Sequence, residues 1–387
     1  MKHLKIFLLG ATALIFAACS KNDSPTPPST TTRTILSYIV ASNSLSDIAD
    51  QDLLEMKAAV QANGLNNCRV LAYVVSRSHA TPTLYEITLN NNTAALTELK
   101  TYDSKKGSSV TYQRVNQVIA DMKSFAPANE YGLILWSHSN GWARNLDPKN
   151  TIQYSTDVIP EPTVNDFGDD DGFSMPIPEL ARAIPDNTFN FICTDACYMG
   201  AVEIAYELRN KARYYIGSPT EVMGAGMPYN KVLPLFLAKE AKLKEVCSTT
   251  YQFYDQQSGV NRSCTIALYD LRAMSDFATI CKDINQHPGG TITDKAVLQG
   301  YNFLKSSFLV DCLQYYSLRA SQSQLDALNK AYANFVTTKY ATPQFLGSQL
   351  TIDPAKYSGM STYYPGSSND ENEAAYQELA WYNDVVK

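Results

Sequence analysis

Short apolar runs alternate with segments that carry apolar residues at helical spacing through the first 240 residues of the chain. The runs at 34–42 and 68–76 are typical of buried strands, and DLLEMKAAVQ between them has helical periodicity. A strand, a helix and a second strand form a unit whose two strands lie parallel in one sheet. The pattern therefore predicts an α/β fold with a mostly parallel central sheet.

The segments that follow extend this sheet. TLYEITLNNN and ALTELKTY predict a short antiparallel excursion around an asparagine turn, and TYQRVNQVIADMKSF predicts an amphipathic helix. YGLILWSH at 131–138 is predicted to be a buried strand that ends in polar residues. Residues 145–174 lack periodicity and are rich in Asn, Asp, Gly and Pro, so we predict a surface loop there.

A helix, a strand, a helix and a strand come next. They are MPIPELARAI, TFNFIC, MGAVEIAYELRNKA and YYIGS, and the second helix is predicted to begin just after Cys197. Beyond about residue 240 helical patterns dominate, interrupted by the strand-like CTIALYD and closed by the strand-like MSTYYP. The C-terminal part is therefore predicted to be rich in helices and to return a strand to the core.

The N-terminus differs in composition from the rest. Lys2 and Lys5 precede an apolar run at 6–18, which is shorter than the roughly 18 to 20 residues that a membrane span needs. This arrangement is typical of a secretory signal. FAAC resembles the lipobox of bacterial lipoproteins, in which Cys19 becomes the lipidated N-terminus, and the Ser/Thr/Pro-rich segment after it predicts a flexible tether. The alternative is ordinary cleavage and release.

Composition narrows the classes of function. The chain is 45% hydrophobic and 18% charged, which is sufficient for a large apolar core. Loss of the two lysines of the signal would change the formal net charge from −6 to −8. Nucleic acid is therefore not an expected partner, because binding it requires an excess of Lys and Arg at the surface.

Seven cysteines follow Cys19, at positions 68, 193, 197, 247, 264, 281 and 312. Their number is odd and their spacing is wide, so at least one thiol should be free. A metal site on Cys193 and Cys197 would need further ligands, and the few histidines form no close pair to complete it. No metal is expected. Residues 169–172 form an acidic loop, for which calcium binding is the alternative to simple solvation.

Cys197 and His138 both lie just beyond predicted strands. Functional residues of an open parallel sheet collect beyond the carboxyl ends of its strands, so neighbouring strands would place this imidazole and this thiol at one edge. A free thiol with a pKa near 8.5 is only a few per cent thiolate at neutral pH. An imidazole favours the thiolate or protonates the leaving group, and the dipole of a helix beginning after Cys197 would add to this effect. From position alone, a structural role for both residues stays open.

Four blocks of the sequence resemble the clostripain-like cysteine peptidases of the caspase-like clan. LILWSHSNGW resembles their histidine block, and TDACYMGAVEIAYELRNKARYYIGSPTEVMGAGMPY resembles the block around their nucleophile. ILSYIVASNSLSDIADQDLLEM is similar to their opening strand and helix, and SGMSTYYP with Trp381 to their C-terminal block. The resemblance covers most of residues 34–387. It implies a caspase-like three-layer sandwich and a cysteine endopeptidase.

The resemblance also assigns roles to residues. Cys197 matches the nucleophile and His138 the family histidine, which leaves Cys193 as a buried strand residue. Asp195 matches the acid at the base of the primary specificity pocket, which implies cleavage after Arg or Lys. A partly desolvated carboxylate pairs with such a cation, and Arg binds it in a bidentate manner. The alternative role for Asp195 is a cap at the start of the following helix.

Two positions depart from the family pattern. Ser139 stands where the family usually has Gly, whose backbone N–H contributes to the oxyanion hole together with that of Cys197. Serine keeps the N–H, but it costs more than glycine if the backbone requires a positive φ. Ser42 and Asn43 replace an Asp-Asn pair, and the sequence does not indicate the effect of this change.

Members of this family are typically zymogens that cut themselves between the histidine and the nucleophile. Residues 141–174 form the kind of irregular segment that proteases cleave, and Arg144 and Lys149 are its basic residues. Arg144 is expected to be held by the neighbouring strand. Cleavage after Lys149 is therefore the main prediction and cleavage after Arg144 the alternative.

The sequence thus predicts a signal peptide at 1–18, a lipidated tether at 19–33, a peptidase core at 34–240 and a helix-rich region at 241–387. The protein is expected to be a monomer in the bacterial cell envelope, anchored to the outer membrane on the periplasmic side or the surface. It would cleave peptides after Arg or Lys without a required cofactor. A serine hydrolase is disfavoured because no G-x-S-x-G motif is present. The alternative is a non-catalytic surface lipoprotein that serves as a binding module, with Ser139 as its main support.

Overall fold

The computed structural model describes residues 30–144, 166–302, 308–347, 349–366 and 370–387. The predictions for the signal peptide, for lipidation at Cys19 and for cleavage after Lys149 lie outside these residues. In the part that is described, no helix combines the length and the apolar character needed to cross a membrane.

Strands and helices alternate through the first two thirds of the chain, as the pattern predicted. The strands are β1 (Arg33–Ala41), β2 (Cys68–Ser76), β3 (Thr83–Asn90), β4 (Thr93–Thr101), β5 (Glu130–Trp136), β6 (Phe167–Asp170), β7 (Phe173–Met175), β8 (Phe189–Asp195), β9 (Ala212–Gly217), β10 (Thr265–Asp270), β11 (Leu309–Asp311), β12 (Val336–Ala341), β13 (Gln344–Phe345), β14 (Leu350–Thr351) and β15 (Ser361–Tyr363). The helices are α1 (Ser46–Asn63), α2 (Tyr112–Phe125), α3 (Ile177–Ala183), α4 (Val202–Glu207), α5 (Tyr229–Phe236), α6 (Leu243–Asp255), α7 (Met274–Gln286), α8 (Cys312–Arg319), α9 (Gln322–Phe335) and α10 (Asp370–Glu378).

Nine of these strands form one sheet in the order β12-β10-β9-β8-β5-β1-β2-β3-β4. The five central strands run parallel, while the two strands at each edge pair antiparallel. Every residue of β1 is buried, which explains why the central strands are almost continuously apolar. The expected parallel sheet is therefore confirmed at its centre, and its edges make it a mixed sheet.

Side chains of β1 alternate between two apolar cores, one on each face of the sheet. Ile35 and Ile39 pack in the core that includes α1, α5 and α6. Leu36, Tyr38 and Val40 pack in the opposite core, which includes α2, α3, α4, α7, α8 and α9. The sheet thus lies between two layers of helices, which confirms the expected three-layer sandwich.

The hairpin β3–β4 turns at Asn91 and Asn92, whose φ angles of 48° and 59° are left-handed. Two consecutive left-handed residues define the tight turn that joins twisted antiparallel strands, and asparagine tolerates this conformation. The predicted excursion around an asparagine turn is confirmed.

Part of the expected surface loop at 145–174 is a hairpin. β6 and β7 pair antiparallel around Asp171 and Gly172, both left-handed with φ angles of 61° and 88°. Phe167 is 1% exposed, so the hairpin contributes to the core beside the sheet. The prediction was wrong here because these strands are too short to show a period, and the Asp-Gly turn was the signal for them.

The C-terminal part adds two strands to the sheet. β10 was predicted, but β12 follows α9 without a break and its sequence VTTKYA was not recognised. β15, the predicted MSTYYP strand, pairs with β11 and forms a bridge through Ser361 to Ala201, close to the nucleophile block. The end of the chain therefore packs beside the predicted active site.

Candidate active site

The two predicted catalytic residues lie at equivalent positions of adjacent strands. β5 and β8 are parallel neighbours, and their register pairs Trp136 with Asp195. His138 and Cys197 each follow two residues later, beyond the carboxyl ends of these strands. The structure therefore brings the imidazole and the thiol to one edge of the sheet, although 59 residues separate them in the sequence.

The segment after Cys197 is a turn and not the helix that the sequence pattern predicted. Tyr198 has a left-handed φ of 56°, and α4 begins only at Val202. The Tyr198 amide donates to Thr220 O (2.8 Å) and the Gly200 amide donates to Ser218 O (2.6 Å). Because Tyr198 has a left-handed backbone, a right-handed helix cannot include it, and the expected helix dipole at the thiol is absent from this turn.

A backbone segment takes the place of that helix beside the thiol. The amide of Val222 donates to Cys197 Sγ at 3.2 Å, and Val222 O lies 3.8 Å from the same sulfur. An N–H that donates to sulfur stabilises negative charge there, so this contact favours a thiolate. The same segment also covers one side of the nucleophile.

Of the seven cysteines in the described residues, six are buried and Cys197 is half-buried. All seven are free, so the prediction of at least one free thiol is confirmed. Cys193 is fully buried, with its sulfur 3.7 Å from Met227 Sδ, and burial raises its pKa well above the ordinary value. Cys193 therefore packs as a small apolar residue, as predicted.

His138 is 6% exposed, and this burial lowers the pKa of its imidazole to about 4. At neutral pH the ring is therefore neutral and can accept a proton. Its Nε2 lies 2.9 Å from the hydroxyl of Ser44, in the turn between β1 and α1. A hydrogen bond at one ring nitrogen fixes the orientation of the ring and the role of its other nitrogen.

Ser139 fits its position without a left-handed backbone. It forms an antiparallel bridge with Phe167. The bonds of this bridge come from the residues on either side: the Asn140 amide donates to Asp166 O and the Gly168 amide donates to His138 O, both at 3.0 Å. In this type of antiparallel pair the bonds belong to the flanking residues, so the Ser139 amide points away from the hairpin. Its φ is not positive, so serine has no backbone cost relative to glycine here.

Asp195 ends β8 and is 4% exposed. Its Oδ2 accepts from the Met227 amide (2.8 Å) and the Tyr229 hydroxyl (2.9 Å). Burial raises the pKa of Asp195 to about 6, and these two hydrogen bonds oppose the rise. The residue before α4 is Ala201, and no side chain caps this helix, so the alternative role of Asp195 as its cap is wrong.

A cavity between the sheet and the segment 217–227 reaches the Asp195 carboxylate. Gly226, Tyr254 and Ile266 are among the residues that line it, and so is Val222, whose amide contacts the sulfur of Cys197. The cavity is therefore bordered by a buried carboxyl group and by the segment that contacts the thiol of Cys197.

Asp52 is a second buried carboxyl group near this pocket, and the sequence motifs did not point to it. It lies on α1, is 2% exposed and accepts from Trp136 Nε1 at 2.8 Å. Burial and the neighbouring charge of Asp195 raise its pKa to about 9. The available signal was its position: Asp52 falls on the apolar face of α1 with Ala49 and Met56, where an acid is unusual.

Ser44 was also missed, because an exposed serine in a turn gives no sequence signal of its own.

The structure explains one of the two first-loop positions, Ser42 and Asn43, that depart from the family pattern. Asn43 accepts from the Leu45 amide (2.8 Å) and donates to Asp169 O (2.7 Å), so it fixes the turn that presents Ser44. No contact of this kind is evident for Ser42, which forms a bridge with Asp170.

Arg144 is held by the C-terminal region. The expectation that the strand carrying His138 would hold it was wrong. Its amide donates to Asn372 Oδ1 (2.8 Å), and its guanidinium pairs with Glu378 at 2.6 Å. Trp142, two residues earlier, is 2% exposed and lies edge-on to Tyr363 of β15. The start of the segment between the dyad residues is therefore anchored to the end of the chain.

The acidic loop at 169–172 serves the backbone. Asp169 Oδ1 accepts from the Gly172 amide and Asp170 Oδ2 from the Ser109 amide, each at 2.9 Å, and both residues are buried. Asp171 pairs with Lys106 at 2.7 Å. The expectation of a simply solvated loop is thus wrong for two of the three acids. Within the described ranges, no three His, Cys, Asp or Glu residues cluster in a way that could hold a metal ion.

A mixed sheet between two helical layers, with a thiol and an imidazole beyond the carboxyl ends of adjacent strands, is the architecture of the caspase-like cysteine peptidases. The family comparison matches residues 37–348 to the clostripain family. The chain therefore belongs to the clostripain family, as its four sequence blocks predicted. A comparison with curated proteins found no match.

Solved structures of this family are similar to the chain along most of its length. An inactive zymogen C11 protease from Parabacteroides distasonis is 29% identical, with a TM-score of 0.76 over 94% of this chain and 100% of that one. A secreted C11 cysteine protease from Bacteroides thetaiotaomicron, in complex with an irreversible peptide inhibitor, is 28% identical, with a TM-score of 0.76 over 92% and 98%. A clostripain from Bacteroides thetaiotaomicron, in complex with the peptide inhibitor BTN-VLTK-AOMK, is 27% identical, with a TM-score of 0.51 over 56% and 97%.

Proposed function

We propose that this member of the clostripain family is an endopeptidase that cleaves after Arg or Lys, with Cys197 as nucleophile and His138 as its base. The observation that carries the proposal is the register of β5 and β8. His138 and Cys197 each follow a paired residue of these adjacent strands by two positions, and Asp195, which precedes the thiol by two residues, lines a buried pocket; both observations support the proposal. One sheet edge then supplies the nucleophile, the base and the group that selects the substrate.

The chemistry needs no group beyond the protein. Neutral His138 accepts the Cys197 proton, and the thiolate attacks the carbonyl carbon of the Arg or Lys residue. The backbone amides of Ser139 and Cys197 donate to the oxygen that becomes negative. The imidazolium returns its proton to the leaving amine as the peptide bond breaks. Water, deprotonated by His138, then hydrolyses the thioester and regenerates the thiol.

The preference for a cation follows from Asp195. A neutral side chain in the pocket would leave this buried carboxylate unpaired, at a cost of about 2 to 5 kcal/mol. A related clostripain forms a complex with the peptide inhibitor BTN-VLTK-AOMK. The lysine that ends the peptide part of this inhibitor is consistent with a pocket that accepts a basic residue.

Processing and location complete the proposal. The related zymogen supports synthesis as a precursor, with cleavage after Lys149 favoured over Arg144 because the contacts of Arg144 hold it against the C-terminal region. The N-terminal signal and Cys19 support a lipid-anchored monomer in the cell envelope that acts on protein or peptide substrates. No cofactor is required by this mechanism, and calcium is a modulator to be tested.

An active-site probe tests the proposal. The mature protein is incubated with acyloxymethyl ketones that carry Arg, Lys or, as a control, a neutral residue next to the reactive group. We expect labelling by the Arg or Lys probe, its loss in Cys197→Ala and in His138→Ala, and its retention in Cys193→Ala. The Cys193 variant is the matched control because it removes a thiol four residues away that packs only in the core.

Two outcomes would contradict the assignment. Labelling of a folded Cys197→Ala protein would move the nucleophile elsewhere. Failure of every probe with folded, cleaved wild-type protein would support the alternative, a binding module that keeps the fold without the reaction.

A further inference from the structure

A carboxyl group that the proposed mechanism does not use lies next to Gly226, a residue that lines the pocket. Asp52 comes from the helical layer, whereas Asp195 comes from the sheet, and both are almost fully buried. Trp136 Nε1 donates to Asp52 Oδ2, so this side chain is oriented by a strand that leads to His138. A buried acid is costly unless it has a partner or a function.

Gly226 shows how close the two carboxyl groups are. A β-carbon on this residue would lie 2.8 Å from Asp195 Oδ2 and 3.2 Å from Asp52 Oδ2, so the two oxygens are at most 6.0 Å apart. Gly226 also lines the cavity. Glycine at this position therefore lets the backbone that lines the cavity approach both carboxyl groups, where a β-carbon would be too close to either oxygen.

Apart from the indole N–H of Trp136, the groups that act on Asp52 are acidic or phenolic. The carboxylates of Asp195 and Glu55 repel its negative charge, and Tyr229 and Tyr254 interact with it from α5 and α6. Two carboxylates in such an environment cannot both be ionised without a large cost. Burial, with this repulsion added, raises the pKa of Asp52 to about 9, against about 6 for Asp195. Before a substrate binds, the pocket thus holds one carboxylate and one carboxylic acid at neutral pH.

We propose that Asp52 is a second specificity-determining residue, which loses its proton to solvent when a cationic substrate side chain binds beside Asp195. The proposal rests on the proposed function, because it requires that the pocket accepts Arg or Lys. A guanidinium or ammonium group offsets the charge of Asp195 and attracts the anion of Asp52. The occupied pocket then contains two carboxylates, and affinity for the cation increases with pH above neutrality.

The test measures benzamidine as a competitive inhibitor of the active, processed enzyme between pH 7 and 9. Benzamidine remains a cation in this range, and the neutral benzamide is its control. We expect the inhibition constant of the wild type to fall by up to about tenfold per pH unit, which is the dependence of binding that releases one proton. In Asp52→Asn the constant should become independent of pH, while Trp136 keeps an acceptor.

Glu55→Gln is the matched control, since it removes a neighbouring negative charge from the same helix but leaves Asp52 able to titrate, and it should retain the pH dependence. If the benzamidine inhibition constant of the wild type does not change with pH, the proposal is overturned without any variant. An inhibition constant that depends on pH equally in Asp52→Asn and in the wild type also overturns it. If benzamidine still inhibits Asp195→Asn, the proposed cation pocket fails. If that variant loses inhibition while Asp52→Asn keeps the slope, only the role of Asp52 fails.

Discussion

Ser44 and Val222 make the polar contacts closest to the proposed dyad, and they act on opposite partners. The Val222 amide donates to the sulfur of Cys197, while the Ser44 hydroxyl lies at His138 Nε2. His138 is buried and neutral, and among the described residues no charged side chain pairs with its ring, so the Ser44 hydroxyl is the side-chain contact that fixes its orientation. Ser44 is therefore a positioning residue.

Replacement of Ser44 tests this role. Ser44→Ala should lower kcat by about threefold to tenfold, because one neutral hydrogen bond contributes about 0.5 to 1.5 kcal/mol, and should leave KM unchanged. Ser44→Thr, which retains the hydroxyl, should restore activity. A purely structural role would be contradicted if the acidic limb of the pH profile moved in Ser44→Ala but not in Ser44→Thr.

The proposed role of Asp195 in selectivity can be tested at the same scale. In Asp195→Asn, kcat/KM for Arg or Lys substrates should decrease by roughly 30-fold or more relative to neutral substrates, corresponding to the lower part of the 2 to 5 kcal/mol range. Thermal unfolding of the variant checks that the fold is intact. Unchanged selectivity would leave Asp195 with only its role as acceptor for Met227 and Tyr229.

The raised pKa of Asp52 predicts how stability depends on pH. A carboxyl group whose pKa is higher in the folded than in the unfolded protein binds more protons when folded, so stability falls as pH rises from about 4 towards 9. Asp52→Asn removes this dependence. Its melting temperature should exceed that of the wild type by several degrees at pH 8 and by little at pH 5. An equal difference at both pH values would mean that the carboxyl group does not titrate in this way.

At the scale of elements, the segment between β9 and α5 forms one wall of the site. It bonds to the turn after Cys197 through Thr220, covers the sulfur with Val222 and contacts Asp195 through Met227. Gly226, with a φ of 61°, allows the chain to turn over the two carboxyl groups. The pocket therefore depends on the shape of a loop as much as on its polar side chains.

Gly226→Ala tests the loop. Its β-carbon would overlap Asp195 Oδ2, so activity on Arg and Lys substrates should fall by at least tenfold, in addition to the strain of a left-handed alanine. Gly259→Ala is the matched control, because Gly259 has a φ of 59° and a β-carbon added there would meet no heavy atom within 4 Å. Comparable loss of activity in both variants would attribute the effect to backbone strain alone.

Sequence patterns predicted the elements whose apolar period is long or continuous. This group includes the strands β1, β2, β5 and β8. The turn at Asn91 and Asn92 and the position of His138 and Cys197 at one edge of the sheet were also predicted. The failures lie where tertiary contacts override local preference. The sequence after Cys197 has helical periodicity, yet the amides of Tyr198 and Gly200 bond to the neighbouring segment. Ser44 and Asp52 meet the site only through contacts between distant elements, which one sequence does not encode as a pattern.

At the scale of the whole molecule, both ends of the proposed processing segment lie in well-packed structure. Trp142 and Arg144 are anchored to the C-terminal region, and the buried Phe167 begins the β6–β7 hairpin. The strands on either side, β5 and β8, are neighbours at the centre of one sheet. A cut between them would leave two chains that stay together, because separation would expose the core.

Intact mass spectrometry tests the processing. Active wild type should consist of two chains whose masses place the cut after Lys149, and Cys197→Ala should remain a single chain. Lys149→Ala should abolish or shift the cut. Size-exclusion chromatography of the cleaved protein should give one peak at the mass of the uncleaved monomer. A fully active enzyme with an unbroken chain would exclude self-processing as a condition of activity.

The contacts between the nucleophile block and β15 set an order of events during synthesis. The Ser361 amide donates to Gly200 O at 3.0 Å, and the buried carboxylate of Glu203 accepts from Thr362 and Tyr363. These partners belong to the last 30 residues of a 387-residue chain. A nascent chain therefore contains Cys197 and His138 well before residues 361–363, which support the turn and helix after Cys197, have been synthesised, so the proposed site takes its final shape late in synthesis.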